Sequence, residues 1–462
     1  MALGLKFWGK RNLQAVEITD SNLFMRRLIE LQTCAWVLVI AGVLFHGYMG
    51  KTWTEVQVFK VDDGWCDTGR DGLGQHCFGD FGLAFQGGTR NSVYVEGNPA
   101  AMNTPLTALL FRALNPLTYN PALAVYMIVL TLSTLLPFAL GSRVKPFGTR
   151  MQAATLFGLT TTGTIAALDR GNHVLMLVPL LFGYLLAIHH GRWNSATWLL
   201  IAISLLKFWG IVFVVALIAR SKYRHAMSAI IRTTILMFVL LMAFGESLTD
   251  SGIAMFKAVV NRDYGNTVAP YAFSIQGFIR RLDCLIQSES NCYTADNAKG
   301  WAASVYLSVT ILIALLIVSF LFIKKSQSTP HIWMLFLVSV GIFGIPEAPV
   351  YQLSLLTAAI AAIFVTDNYK IQKEWKWTTR VLLIAVVVTS TPFTLHSNQS
   401  IQLAEAELVR PHVFRSDQWL IPLCWLVAIM VGLLEMFKNE YAKAEKSQGC
   451  TLVLTKAEME PT

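Results

Sequence analysis

Long apolar runs separated by short polar stretches recur along most of this chain, and they do not alternate. In Ile311-Leu312-Ile313-Ala314-Leu315-Leu316-Ile317-Val318 apolar residues follow one another without a break, whereas a spanning strand needs polar and apolar positions in turn. Runs of about 15 to 25 residues match the roughly 20 helical residues that cross a hydrocarbon core. Only helices and closed barrels satisfy the backbone in lipid, so the pattern predicts an all-α polytopic membrane protein. The spans fall near Thr33 to Met49, Tyr119 to Leu140, Met151 to Leu168, Val174 to Ile188, Ala226 to Phe244, Trp301 to Ile323, Ile332 to Ile345, Tyr351 to Val365, Val381 to Thr394 and Leu420 to Phe437. Thr104 to Leu114 is apolar but short and carries Arg112, which reads as an interfacial amphipathic helix.

The cations between the runs set an orientation. Lys6, Lys10, Arg11, Arg26 and Arg27 precede the first span, which puts the N-terminus in the cytoplasm and makes that span a signal anchor, with no small-residue cleavage site after it. Residues 50–118 then form a long outer loop. Arg143, Lys145 and Arg150 mark the return inside, as do Lys324-Lys325 and Lys370, Lys373, Lys376 and Arg380 further on. Residues 1–27 and 439–462 are expected in the cytoplasm, the latter as a loosely ordered polar tail.

One run does not fit a simple crossing. Ala196 to Ala219 is interrupted by Lys207 and is basic at both ends, through Arg192 on one side and Arg220, Lys222 and Arg224 on the other. Two half-helices of about 12 residues meeting near Lys207 would return the chain to its starting side, each too short to cross. An ordinary single span would invert everything downstream. The cysteines favour the hairpin: it leaves Cys284 and Cys292, in a second loop over residues 247–300, outside with Cys66 and Cys77 of the first loop. Two close pairs in an oxidising compartment read as two local disulfides. The nearby histidines complete no recognisable zinc spacing. The tally is about twelve crossings or half-crossings with both termini inside.

Composition agrees. Hydrophobic residues make up 54% of the 462 positions and charged residues 14%, with mean hydropathy +0.51, against about a quarter charged in soluble domains. The net charge of +9 is scattered over short loops, which positive-inside bias explains better than nucleic-acid binding.

Charged groups at membrane depth are costly and tend to face cavities. Asp80 lies in the first outer loop; Asp169, Arg170 and His173 lie at the outer end of the third and fourth spans; Lys207 breaks the hairpin; Arg280 and Arg281 lie in the second outer loop. A carboxylate facing several cations suits transfer from an anionic lipid phosphate, with the acid as base and the cations stabilising the departing phosphate. Each also has a plainer reading. Asp80 shares its loop with Asp62, Asp63, Asp67 and Asp71, all open to solvation. Asp169 and Arg170 can pair at a helix junction, His173 can be a packing residue, Lys207 can snorkel, and Arg280-Arg281 can hold lipid phosphates. P-loop, His-Glu-x-x-His, Gly-x-Ser-x-Gly and Asp-x-Asp patterns are absent, which argues against a primary pump and against a nucleotide-sugar donor.

Three stretches in order carry a resemblance. Asp80-Phe81 with Gly88, Tyr94 and Asn103-Thr104-Pro105-Leu106 comes first. Asp169-Arg170-Gly171-Asn172-His173-Val174 with Leu205-Leu206-Lys207 is second, and Phe273-Ser274-Ile275-Gln276-Gly277-Phe278-Ile279-Arg280 is third. Together they resemble glycosyltransferase family 87, GT-C-type membrane enzymes that include a mycobacterial mannosyltransferase extending phosphatidylinositol mannosides. Pro349-Val350-Tyr351-Gln352 keeps the tyrosine of a late His-Tyr pair in that family and lacks the histidine. The resemblance covers about Asp80 to Leu355. It implies a GT-C-like domain over residues 28–438 and a polyprenyl-phosphate sugar donor, mannose foremost. Asp80 is the implied base, Asp169, Arg170, Asn172, His173, Lys207, Arg280 and Tyr351 are the implied substrate contacts, and the charge pattern adds Arg281 to them.

The expected function is transfer of a sugar, with inversion, to a lipid-linked or envelope glycan acceptor at the outer face of a bacterial plasma membrane. No cofactor or metal is required in principle, and no nucleic acid is expected as a partner. The rival is a membrane transporter or lipid flippase whose buried charges form a substrate pathway.

Overall fold

The computed structural model describes residues 23–48, 78–89, 93–94, 103–141, 145–244, 247–260, 274–279, 282, 298–344, 350–366, 373–391 and 416–457. Among these every regular element is helical and none is a strand. The order begins α1 (Leu23–Tyr48), α2 (Gly79–Thr89), α3 (Pro105–Leu114), α4 (Tyr119–Gly141), α5 (Phe147–Ala153), α6 (Thr162–Arg170), α7 (Leu177–His189), α8 (Trp193–Leu206) and α9 (Val215–Ala219). It continues with α10 (Tyr223–Met242), α11 (Leu248–Val260), α12 (275–279), α13 (Ala298–Lys325), α14 (Pro330–Phe343), α15 (Leu355–Thr366), α16 (Lys376–Ser390) and α17 (Ser416–Ala457).

Length separates outer from inner helices. Tyr119–Ala139, Tyr223–Met242, Tyr306–Lys325 and Trp419–Ala442 are long and apolar enough to cross a membrane, so the chain reads as an integral membrane protein. They turn large apolar side chains outward: Ile128, Phe238, Ile313 and Leu434 are exposed. In water such faces would be a liability; in lipid they are solvated. The shorter helices are wrapped by protein. Every residue of α14 is buried, and so is nearly all of α15, as expected of helices apolar all round.

Polar side chains lock the packing from within. Glu435 on α17 accepts hydrogen bonds from the Trp377 and Thr378 amides at 2.9 Å and from the Thr378 hydroxyl at 2.7 Å. The amides belong to the first turn of α16, so this carboxylate caps a neighbouring helix, where amides lack partners and the dipole favours an anion.

The hairpin expected around Lys207 is present as two packed limbs. Lys207 is extended (φ −142°, ψ 112°) between α8 and a 3-10 segment, Phe208–Val214. A Cβ on Gly210 would lie 2.6 Å from Ile203 Cγ2, so glycine lets the returning limb press on the first.

Other expectations need correcting. The third span, Met151 to Leu168, is not one helix: α5 runs into a π-helical turn, Ala154–Leu159, and α6 starts afresh after Thr161. The Thr161 hydroxyl accepts from the Thr164 amide at 3.2 Å, a cap that stops one helix and begins the next. Thr104 to Leu114 is not simply laid on an interface: α3 buries Pro105, Thr107, Ala108 and Phe111, and the Thr104 and Thr107 hydroxyls bond the Leu206 carbonyl. Its apolar stripe found protein instead of headgroups. Residues 247–300, expected to form a loop, hold α11 and α12. The tail after Lys438 continues α17 to Ala457, since Tyr441-Ala442-Lys443-Ala444-Glu445-Lys446 is made of good helix formers without proline. Lys325 at the end of α13 pairs with Glu440 at 3.0 Å.

Candidate active site

Asp80 is not a solvated loop acid. It sits in the first turn of α2, where a carboxylate suits the helix dipole, and two residues from another part of the chain hold it. Arg170 grips it bidentately, Nη2 to Oδ1 at 2.8 Å and Nε to Oδ2 at 3.2 Å. Asn172 Nδ2 donates to Oδ2 at 2.6 Å. The carboxylate side chain is 16% exposed and the guanidinium 27%. The planar fork of arginine fits a carboxylate edge to edge, which fixes orientation as well as charge.

The local backbone explains the convergence. α6 ends at Gly171 in the left-handed region (φ 62°), followed by a short 3-10 turn, His173–Met176. Asn172 Oδ1 accepts from the Val174 amide at 3.0 Å while its NH2 faces Asp80, so both ends of the amide are committed and its orientation follows from the network. A Cβ on Gly171 would lie 2.8 Å from the Phe81 Cβ; glycine is what lets the α2 chain come this close. Phe78, just before α2, also has positive φ (67°), and its amide donates to the Asp169 carbonyl at 2.7 Å. A bulky residue held there stores strain, which tends to collect at functional sites.

Around the clasp lies an aromatic wall. Phe81 packs on Phe85, Phe111, Tyr119 and Tyr126 with ring centroids 5.0 to 5.9 Å apart. The Tyr126 hydroxyl is buried without a hydrogen-bond partner among the described residues and lies within electrostatic reach of Asp80. Arg170 stacks over the Tyr351 ring at 5.7 Å. Tyr351 is brought there by the 3-10 turn Val350–Ser354, which abuts α6 so closely that a Cβ on Gly163 would overlap the Ser354 backbone. Burial acts to lower the Arg170 pKa, but the adjoining Asp80 charge and hydrogen bonds outweigh it and raise the value above that of free arginine. The guanidinium therefore stays charged throughout the working pH range.

Of the residues singled out from sequence, the structure joins Asp80, Arg170, Asn172 and Tyr351 directly. Asp169 contributes its backbone carbonyl, and His173 is buried one residue beyond the Asn172 contact. Lys207 is half-buried at the break after α8, next to the Leu206 carbonyl on which α3 is docked. Arg280, Arg281, Cys66, Cys77, Cys284 and Cys292 lie outside the described residues. α12, immediately before Arg280, is anchored: Ser308 donates to Gln276 Oε1, and Phe278 packs on Trp419 at 5.5 Å. Tyr119 and Tyr126 escaped the sequence reading because tyrosine in an apolar helix carries no distinguishing signal; their spacing of seven residues, two turns on one face, was the available hint. Against protein-family models, curated proteins and solved structures, the chain finds no match.

Proposed function

We propose that this protein is a membrane glycosyltransferase that uses a polyprenyl-phosphate sugar, mannose foremost, to glycosylate a lipid-linked or envelope glycan at the extracytoplasmic face. The observation that carries the reading is the Asp80 clasp. A carboxylate has about four acceptor positions. Arg170 and Asn172 take three and leave one on Oδ1. That position can accept the proton of an incoming hydroxyl while the other bonds hold the group still. The acceptor oxygen bonds to the anomeric carbon from the face opposite the phosphate. The carbon–phosphate oxygen bond breaks, and the polyprenyl phosphate leaves with the electron pair. Two of the five Arg170 donors serve Asp80, and the rest can hold the phosphate; Lys207, Arg280 and Arg281 are the further cations the sequence offers for it.

The test is transfer from radiolabelled polyprenyl-phosphate mannose in membranes holding matched amounts of wild type and Asp80→Asn. Transfer by wild type, abolished in the variant with donor binding retained, is expected. Equal transfer by both would remove Asp80 as base. The helix breaks at residues 154–161, at Lys207 and at 350–354 also suit a transporter. Donor lipid moved across vesicles without any transfer, on a panel of mannose, glucose and arabinose lipids, would favour that reading.

A further inference from the structure

Away from Asp80 a polar concavity opens where the N-terminal ends of α8 and α10 meet. It encloses about 280 Å³ between Asn194, Trp198, Arg224, His225, Ser228 and Arg232, and a shallower neighbour extends it toward Arg192. Asn194 and Trp198 lie well before Leu206 on α8, so this groove lies about 12 to 18 Å along that helix from the end to which α3 is docked. It belongs to the opposite end of the bundle from the clasp.

Its chemistry is that of an anion site. Arg224, Ser228 and Arg232 repeat every four residues and share one face of α10. Arg232 stacks over the Trp198 ring at 5.0 Å, which holds the guanidinium over the groove. The Thr197 hydroxyl gives its hydrogen to the Trp193 carbonyl at 2.9 Å, so the His225 Nδ1 at 3.2 Å is the donor in that pair and the imidazole is fixed. The first-turn amides of α8 add their dipole. Among the described residues no acidic side chain lines either concavity.

The surface below it is apolar. Ile231 sits beside Arg232, and the same stripe of α10 runs on from it through Ile235 and Phe238; the three are exposed by 51%, 54% and 48%, with Trp198 alongside at 54%. α10 is one of the membrane-crossing helices. A cationic head over a lipid-facing stripe matches a molecule with an anionic head and hydrocarbon tails. We propose that this groove binds the phosphate headgroup of an anionic phospholipid, its acyl chains lying along Trp198, Ile231, Ile235 and Phe238.

The test is native mass spectrometry of the full chain released from mixed phosphatidylglycerol–phosphatidylcholine vesicles. Wild type should retain phosphatidylglycerol in preference to phosphatidylcholine. Arg224→Ala/Arg232→Ala should bind it about thirtyfold more weakly, from the typical worth of two basic side chains at an anionic membrane surface. The charge-matched Lys257→Ala/Lys438→Ala should not change. Ser228→Glu sets a carboxylate between the two arginines without removing either, and should reproduce the loss should the alanine pair fold poorly. Unchanged retention in Arg224→Ala/Arg232→Ala or in Ser228→Glu would overturn the proposal. Displacement of the lipid by inorganic phosphate alone would overturn it equally, since the ligand would then be a soluble anion.

Discussion

Arg170 and Asp80 should behave as a single unit, and a double-mutant cycle measures it. An exposed ion pair contributes about 0 to 1 kcal/mol, while removing one partner of a buried pair costs about 3 to 5 kcal/mol because the other charge is stranded. Here the carboxylate is 16% exposed, the guanidinium 27%, and three hydrogen bonds of 2.6, 2.8 and 3.2 Å join Asp80 to Arg170 and Asn172. Discounting the buried figure for partial access to solvent gives about 2 to 3 kcal/mol for either Asp80→Ala or Arg170→Ala. Asp80→Ala/Arg170→Ala strands neither charge and should cost little more than one single change, a coupling of about 2 kcal/mol. Unfolding of the detergent-purified protein, followed by intrinsic fluorescence against denaturant, supplies the four stabilities. Additive losses, with coupling below about 0.5 kcal/mol, would mean that the contact is no stronger than a surface pair; the account of Asp80 as a rigidly held base would fall with it.

Two further outcomes follow from the packing. Gly171→Ala should destabilise by about 2 kcal/mol, through left-handed strain and a 2.8 Å approach to Phe81, and should lower turnover by loosening the clasp; a wild-type melting temperature would refute the required approach. Glu435→Ala should cost about 2 kcal/mol by uncapping α16, with Glu435→Gln intermediate, read as thermal shifts in detergent; equal stability of all three would show that the cap contributes nothing.

Much of the helical architecture was legible because hydrophobic runs leave the chain few options in lipid. The break at Lys207 was legible for the same reason, as a charge in an apolar run between two basic ends. The break between α5 and α6 was not. Thr160-Thr161-Thr162-Gly163 is mild in composition, and only its neighbours reveal why the helix stops: Gly163 must admit the Ser354 backbone and Gly158 must admit the Thr134 carbonyl. Nothing in the sequence marks the role of Glu435, since the amides it serves lie 57 and 58 residues away. Asp80 and Arg170 stood out singly as charges near a membrane face. That they bond each other depends on Gly171, whose role is visible only once Phe81 is packed against it.

The irregular segments share one device. At the π-turn, the Lys207 break and the returning limb, a hydroxyl from a packed neighbour bonds a backbone carbonyl, and in lipid an unsatisfied carbonyl costs several kcal/mol. Thr357 donates to the Phe157 carbonyl of the π-turn at 2.9 Å, Thr104 and Thr107 to that of Leu206 before the Lys207 break, and Tyr184 to that of Phe213 in the returning limb at 2.7 Å. All four hydroxyls come from elements that pack against the break. The breaks are therefore held open by the fold, whereas frayed helix ends would lack such partners. One of them flanks the clasp directly, the π-turn that leads into α6 with Arg170, and the separate turn Val350–Ser354 carries Tyr351. Removing Thr357 or Thr107 would leave every clasp residue in place while freeing the backbone that aims it. Selective loss of turnover in such variants, with the Asp80–Arg170 coupling intact, is what separates a preorganised site from a clasp that merely ties two helices together.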